Sequence, residues 1–200
     1  MSNTNTIKQS IAGQGPQPVQ GTIAPLALGT STSETTFSMT VPLVNTLGGG
    51  PAVLVAVDQS GVPQFYDLAR PIKVRGYGTI VTGVSTNITL KLYQVPSAIV
   101  KAGTAGTVGN DNLLKASTAR AVNSTTASFL VEATLQWSAA SQSLQGTAKF
   151  LINSLLDAEA ATTAVAITAD SELNFILSAT SSSGNAANVI TLSEFSLEQV

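Results

Sequence analysis

The stretch ASFLVEATLQW, residues 127–137, decides the fold. Its apolar side chains fall on every second position, at Phe129, Val131, Ala133, Leu135 and Trp137. Glu132, Thr134 and Gln136 alternate with them. A period of two puts each set on its own face of an extended strand, because successive side chains there point to opposite sides. A helix would need apolar positions three and four apart. After a short polar link, Leu144, Gly146, Ala148, Phe150 and Ile152 repeat the alternation. Two such runs joined by a polar turn read as a β-hairpin with one face turned to a core.

The same period spreads outward from this hairpin. Ile88, Leu90 and Leu92 alternate with Asn87, Thr89 and Lys91, and Phe37, Met39 and Val41 alternate with Ser38 and Thr40. Leu173, Phe175, Leu177 and Ala179 follow it again, ahead of the turn-rich SSSGNAAN of residues 181–188. The run from Val189 to Val200 changes face between Leu192 and Phe195. Such a change requires a β-bulge. Val53–Val57 is wholly apolar, as in a strand buried on both faces. Helical spacing is nearly absent. One exception is NSLLDAEAA, residues 153–161, which predicts one or two helical turns with Asn153 as N-cap. The chain therefore reads as all-β: a two-sheet β-sandwich, best of jelly-roll type, over residues 37–200.

Residues 1–36 differ. They hold two charges, Lys8 and Glu34, and no aromatic residue. Apolar side chains come singly at Ile7, Ile11, Val19, Ile23, Leu26 and Leu28 among Gly, Pro, Gln, Ser and Thr. Too little apolar surface is available to offset the entropy of ordering. The segment reads as an extended arm, flexible alone or ordered along a partner, with a frayed terminus as the alternative. If it binds, those six residues are the candidate partner-binding set. Deleting residues 1–36 is then expected to leave a folded domain that no longer binds its partner.

Composition excludes several chemistries. There is no cysteine and no histidine, so disulfides, thiol catalysis, zinc fingers and a Ser-His-Asp triad are unavailable within the chain. The eleven acids are spread singly, and no residue set completes an enzyme's roles. Asn110, Asp111 and Asn112, or Asp170 with Glu172, supply too few oxygens for calcium. No metal and no cofactor is expected. Nine scattered basic residues against eleven acids give a net charge of −2, which argues against nucleic acid. No apolar run is long enough to span a membrane, and the first residues lack the apolar core of a secretion signal, so cytoplasmic synthesis is expected. Phe65 and Tyr66 are adjacent and must face opposite sides of a strand, which leaves one as a candidate surface contact. Trp137 is in phase with the apolar face of its strand, and a core role is expected for it.

SFLVEATLQWSAASQSLQG (128–146), ELNFILSAT (172–180) and NVITLSEFSLEQV (188–200) together resemble the β-sandwich virion proteins of tailed bacteriophages. The likeness is greatest to jelly-roll decoration, or cement, proteins of the capsid, and it covers roughly residues 70–200. The arm matches nothing in that pattern. The resemblance implies a non-enzymatic structural protein located on the virion capsid surface. It implies a homotrimer that contacts the major capsid protein, bridges neighbouring capsomers and reaches adjacent subunits with terminal arms. A tail, baseplate or fibre component is the alternative within phages. A carbohydrate-binding β-sandwich module is the alternative from another class, and host surface glycans are possible ligands of the decoration protein's outer face. Twenty charged residues in 200, with 22 Ser and 25 Thr, suit surfaces that neighbours cover without burying ions.

Overall fold

The computed structural model describes residues 6–9, 17–20, 25–36, 42–45, 53–57, 63–67, 71–95, 112–123, 126–138, 140–166 and 172–199. Their strands form two sheets. The first sheet contains β1 (Thr6–Gln9), β2 (Gln17–Gln20), β3 (Leu26–Ala27), β8 (Ile72–Val81), β12 (Thr126–Ser138), β13 (Ser143–Ile152), β14 (Leu155–Ala161), β15 (Val165–Ala166) and β17 (Val189–Gln199). The second contains β4 (Thr35–Thr36), β5 (Pro42–Asn45), β6 (Val53–Val57), β7 (Pro63–Asp67), β9 (Ser85–Val95), β10 (Leu113–Ala116), β11 (Arg120–Asn123) and β16 (Glu172–Ser181). Within the first sheet the order runs β14-β13-β12-β8-β17-β1-β2, and within the second β10-β9-β16-β5-β6-β7. The inner faces close on one core that draws Val74, Phe129, Val131, Phe150 and Phe195 from one sheet and Leu90, Leu92, Phe175 and Leu177 from the other. This is a β-sandwich.

The 127–137 strand and its partner form the expected hairpin. Phe129 opposes Ile152, Val131 opposes Phe150, Ala133 opposes Ala148, and Trp137 opposes Leu144. Directly opposed residues share a face in an antiparallel pair, so the two alternating runs build one apolar surface. Trp137 is half-buried and packs against the core. The change of face near the end of the chain is also a bulge: pairing of β17 with β8 slips between Leu192 and Glu194. That slip keeps both Leu192 and Phe195 buried. Val53–Val57 is a strand, whereas Phe37, Met39 and Val41 lie outside the described residues.

The NSLLDAEAA segment is not helical. Asn153 and Ser154 have φ of 52° and 63°, and Leu155–Ala161 turns back as β14 against β13. Two residues with positive φ between opposed Ile152 and Leu155 make a type I′ hairpin, a turn that asparagine tolerates well. Asn153 thus reverses the chain instead of capping a helix.

Two pairings are nested. The first long strand, β8, pairs with the last, β17, while the second, β9, pairs with the penultimate β16. That is the winding of the outer ribbon of a jelly roll. Strands β12, β13 and β14 then run on beside β8 as a meander, so the inner winding departs from that order.

The side of the sandwich between β11 and β14 is closed by polar contacts. Asp157 accepts from the Thr118 N–H at 2.6 Å and from the Arg120 guanidinium. Lys115 donates to the Ala161 carbonyl at 3.2 Å, and the Thr163 N–H to the Leu114 carbonyl at 2.8 Å.

Candidate functional site

The six apolar residues of the N-terminal stretch have different fates. Ile7 lies on β1, opposite Phe195 in a parallel pairing with β17, and opposite Val19 of β2. The side chains of Ile7 and Val19, and all of Ile11 and Ile23, lie outside the described residues. Leu26 and Leu28 are placed fully. Leu26 packs against the domain's own core, and Leu28 is inside it at 4% exposure. Both are therefore already used by this chain's own fold, and residues 25–36 lie on the sandwich. A truncation that keeps the domain intact must stop before Pro25.

Glu34 fastens that segment to the second sheet. Its carboxylate accepts from Lys91 Nζ at 2.6 Å, Tyr93 Oη at 2.6 Å and Ser178 Oγ at 2.5 Å. Lys91 and Tyr93 sit on β9 and Ser178 on β16, so one side chain from the segment spans two strands. Burial alone would raise the Glu34 carboxyl; the hydrogen bonds from Lys91, Ser178 and Tyr93, with the Lys91 charge, outweigh it and hold it below its usual 4.5. Burial and the neighbouring carboxylate push the Tyr93 phenol up. Neither change produces a group poised near neutral pH, and the cluster is a latch.

A depressed carboxyl contributes stability above its unfolded pKa and loses it as pH falls through the folded value. Asp157 and Glu132 are lowered as well. Melting temperature is therefore expected to hold level from pH 7 to about 5 and to fall below about 4.5. Glu34→Gln should flatten part of that acid limb in thermal melts, at the cost of a lower plateau. An unchanged limb would mean Glu34 is not a latch.

The outer face of the first sheet is the candidate interaction surface. Alternation directs Lys73, Arg75, Tyr77 and Thr79 of β8 outward, along with Leu130 and Glu132 of β12 and Lys149 and Leu151 of β13. Register sorts these into two rows across the strands. One row is apolar: Tyr77 opposes Leu130, Leu130 opposes Leu151, and Leu151 opposes Leu156 of β14. The adjoining row is charged: Arg75 opposes Glu132, which opposes Lys149. Glu132 meets Lys149 at 2.6 Å, Arg75 at 3.3 Å and Lys73 at 3.9 Å. The Arg75 guanidinium also lies 5.7 Å from the Tyr77 ring centroid, and Tyr77 Oη donates to Glu194 at 3.1 Å. The pairs link side chains of β8, β12 and β13 across this face.

Further along the same sheet is an open groove of about 540 Å³ lined by Pro71, Thr134, Gln136, Trp137, Gln145 and Thr147. Phe65 and Tyr66 sit on β7 and their side chains lie outside the described residues, as do Asn110, Asp111 and Asp170. Among the described residues no group of three or more acids gathers as metal ligands. No helix is long and apolar enough to cross a membrane among the described residues. The two-row surface and the latch were hidden from sequence reading because both depend on cross-strand register. The alternation of Arg75, Tyr77, Leu130, Glu132, Lys149 and Leu151 was the available signal.

Compared with known protein families and with curated proteins, the chain matches none.

Proposed function

We propose that the chain is a structural protein of a tailed-phage virion, a decoration protein that lies on the outer surface of the head and bridges neighbouring capsomers. It acts by adding contact area, with no turnover. The observation that carries this reading is the outer face of the first sheet, with its apolar row and its charged row. There an apolar row lies beside a row in which Glu132 meets Lys73, Arg75 and Lys149, and the two together offer a docking surface. The likeness of residues 128–146, 172–180 and 188–200 to cement proteins supports it. So does a sandwich braced along its side by Asp157, which suits a load-bearing part.

Immunogold labelling of the encoding phage with antibody to the purified chain tests this reading. Label over the head is expected. Label confined to the tail or fibres would move the protein there, and unlabelled virions would overturn the reading. The groove beside Trp137, with its Thr and Gln lining, favours glycan binding as a second reading, and a glycan array tests it.

A further inference from the structure

Strand β14 is the edge of the first sheet, and among the described residues nothing pairs with its outer side. An open edge is a row of unsatisfied N–H and C=O groups, which folded proteins ordinarily shield with proline, charged side chains, a bulge or a cover. LLDAEAA carries no proline or lysine; its guards are Asp157, turned inward onto Thr118 and Arg120, and the bulge at Ala158 and Glu159, and both lie beyond Leu156. Leu155 is 49% exposed and Leu156 60% exposed, the two most exposed large apolar side chains described.

The hairpin geometry says which backbone groups are free. In a two-residue hairpin the residues flanking the turn, here Ile152 and Leu155, exchange hydrogen bonds. Alternation then points the N–H and C=O of Leu156 away from β13, to the open side. Farther along, register slips between Ala148 and Phe150, so Ala158 and Glu159 both fall opposite Lys149. This bulge ends regular pairing on the outer side after Asp157. The bulge and the turn at Asn153 and Ser154 leave a short window centred on Leu156.

We infer that this edge is a two-fold contact between copies of the chain, with Leu156 of one β14 paired antiparallel to Leu156 of the other. Self-complementarity selects the occupant and the register. Centring on Leu156 sets Asp157 against Leu155, Ala158 against Ser154 and Glu159 against Asn153, with no like charges opposed. Centring on Asp157 or Glu159 opposes each carboxylate to its own copy, and centring on Ala158 opposes Asp157 to Glu159. Like charges facing across strands are destabilising. The Leu156 register also joins two apolar rows end to end. Tyr77, Leu130, Leu151 and Leu156 meet their copies in reverse order, and the sheet runs unbroken through both molecules. This contact makes pairs, not the three-fold assembly that the decoration-protein resemblance implies, and its test does not involve the capsid.

The full chain is measured by light scattering over a concentration series, alone and as Leu156→Glu. The absence of cysteine allows a second readout: Leu156→Cys and Val81→Cys are each treated with a mild thiol oxidant. Val81 is 41% exposed on the same face, away from β14. Opposed hydrogen-bonded residues sit about 5.5 Å apart at Cα, within disulfide range. Expected are a mass rising to two chains, at least about a tenfold weaker association for Leu156→Glu, and disulfide-linked dimer from Leu156→Cys but not from Val81→Cys. A mass of one chain throughout, a limiting mass of three, association indifferent to Leu156→Glu, or equal cross-linking at both positions would each overturn the inference. Capsid labelling is independent of all four.

Discussion

Gly78→Ala should cost about 3 kcal/mol or more and lower the melting temperature by roughly 10 °C. Gly78 lies on the inner face of β8 directly opposite Phe129, beside the bulge in β17. A Cβ there would collide with the Thr191 carbonyl oxygen and come within 2.9 Å of Phe129 Cε1. The ring has some freedom, but the carbonyl belongs to a paired strand and has none. Trimming the ring should therefore not help: Gly78→Ala with Phe129→Leu is expected to be no more stable than Gly78→Ala. Gly76, two residues earlier on the same face, is the control. Its added Cβ would meet only side chains, the nearest being Phe195 Cδ2 at 3.0 Å. Gly76→Ala should stay within about 1 kcal/mol of wild type. Equal effects at the two positions, in thermal or urea melts, would mean the backbone approach at Gly78 is not what limits it.

Asn188→Ala is the second large loss, expected near 3 kcal/mol. Asn188 is fully buried at the end of the SSSGNAAN turn. Its amide accepts from the Gly83 N–H at 3.1 Å and donates to the Ser183 carbonyl at 2.9 Å and to Ser181 Oγ at 3.3 Å. Its own carbonyl accepts from the N–H groups of Leu28 and Gly29. One residue thus ties the β8–β9 turn, the β16–β17 turn and the N-terminal segment together. Alanine leaves three of these polar partners short inside the protein. Asn188→Asp separates hydrogen bonding from packing. The replacement keeps an acceptor for Gly83 but must be protonated to donate to Ser183. Its folded pKa is then raised, so stability is retained at low pH and lost as pH rises through it. Asn188→Asp should melt closer to wild type at pH 4.5 than at pH 8, and a flat difference would refute the hub.

The two-sheet fold was legible because its central strands are half-buried and alternate cleanly. Phe129 to Trp137 and Leu144 to Ile152 fix their own register through the core, and the slip at Ser193 showed as a phase change between Leu192 and Phe195. Residues 153–161 read as helical in sequence for a physical reason. Strand β14 is an edge exposed on both sides of the chain, so no alternation marks it, and Leu, Ala and Glu are good helix formers. Tertiary pairing overrode propensity there, and the positive-φ pair at Asn153 and Ser154 was the turn signal that outweighed it. The arm's inner limit was invisible for another reason. Leu28 and Glu34 look like isolated residues in a polar segment, and only their partners, Asn188, Lys91, Tyr93 and Ser178, make them structural.

The nested pairing of β8 with β17 and β9 with β16 bears on how the chain is made. Each sheet has at its centre a strand from residues 172–199, and those strands hold Phe175, Leu177, Leu192 and Phe195. Until that stretch is available, β8 has only β12 beside it and β9 only β10 and β11, and the core that the two sheets share stays incomplete. Pairs this distant in sequence close slowly, since the loop entropy must be overcome before the contacts reward it. The two sheets therefore cannot close before residues 172–199 are available, and closure couples both sheets in one slow, cooperative step.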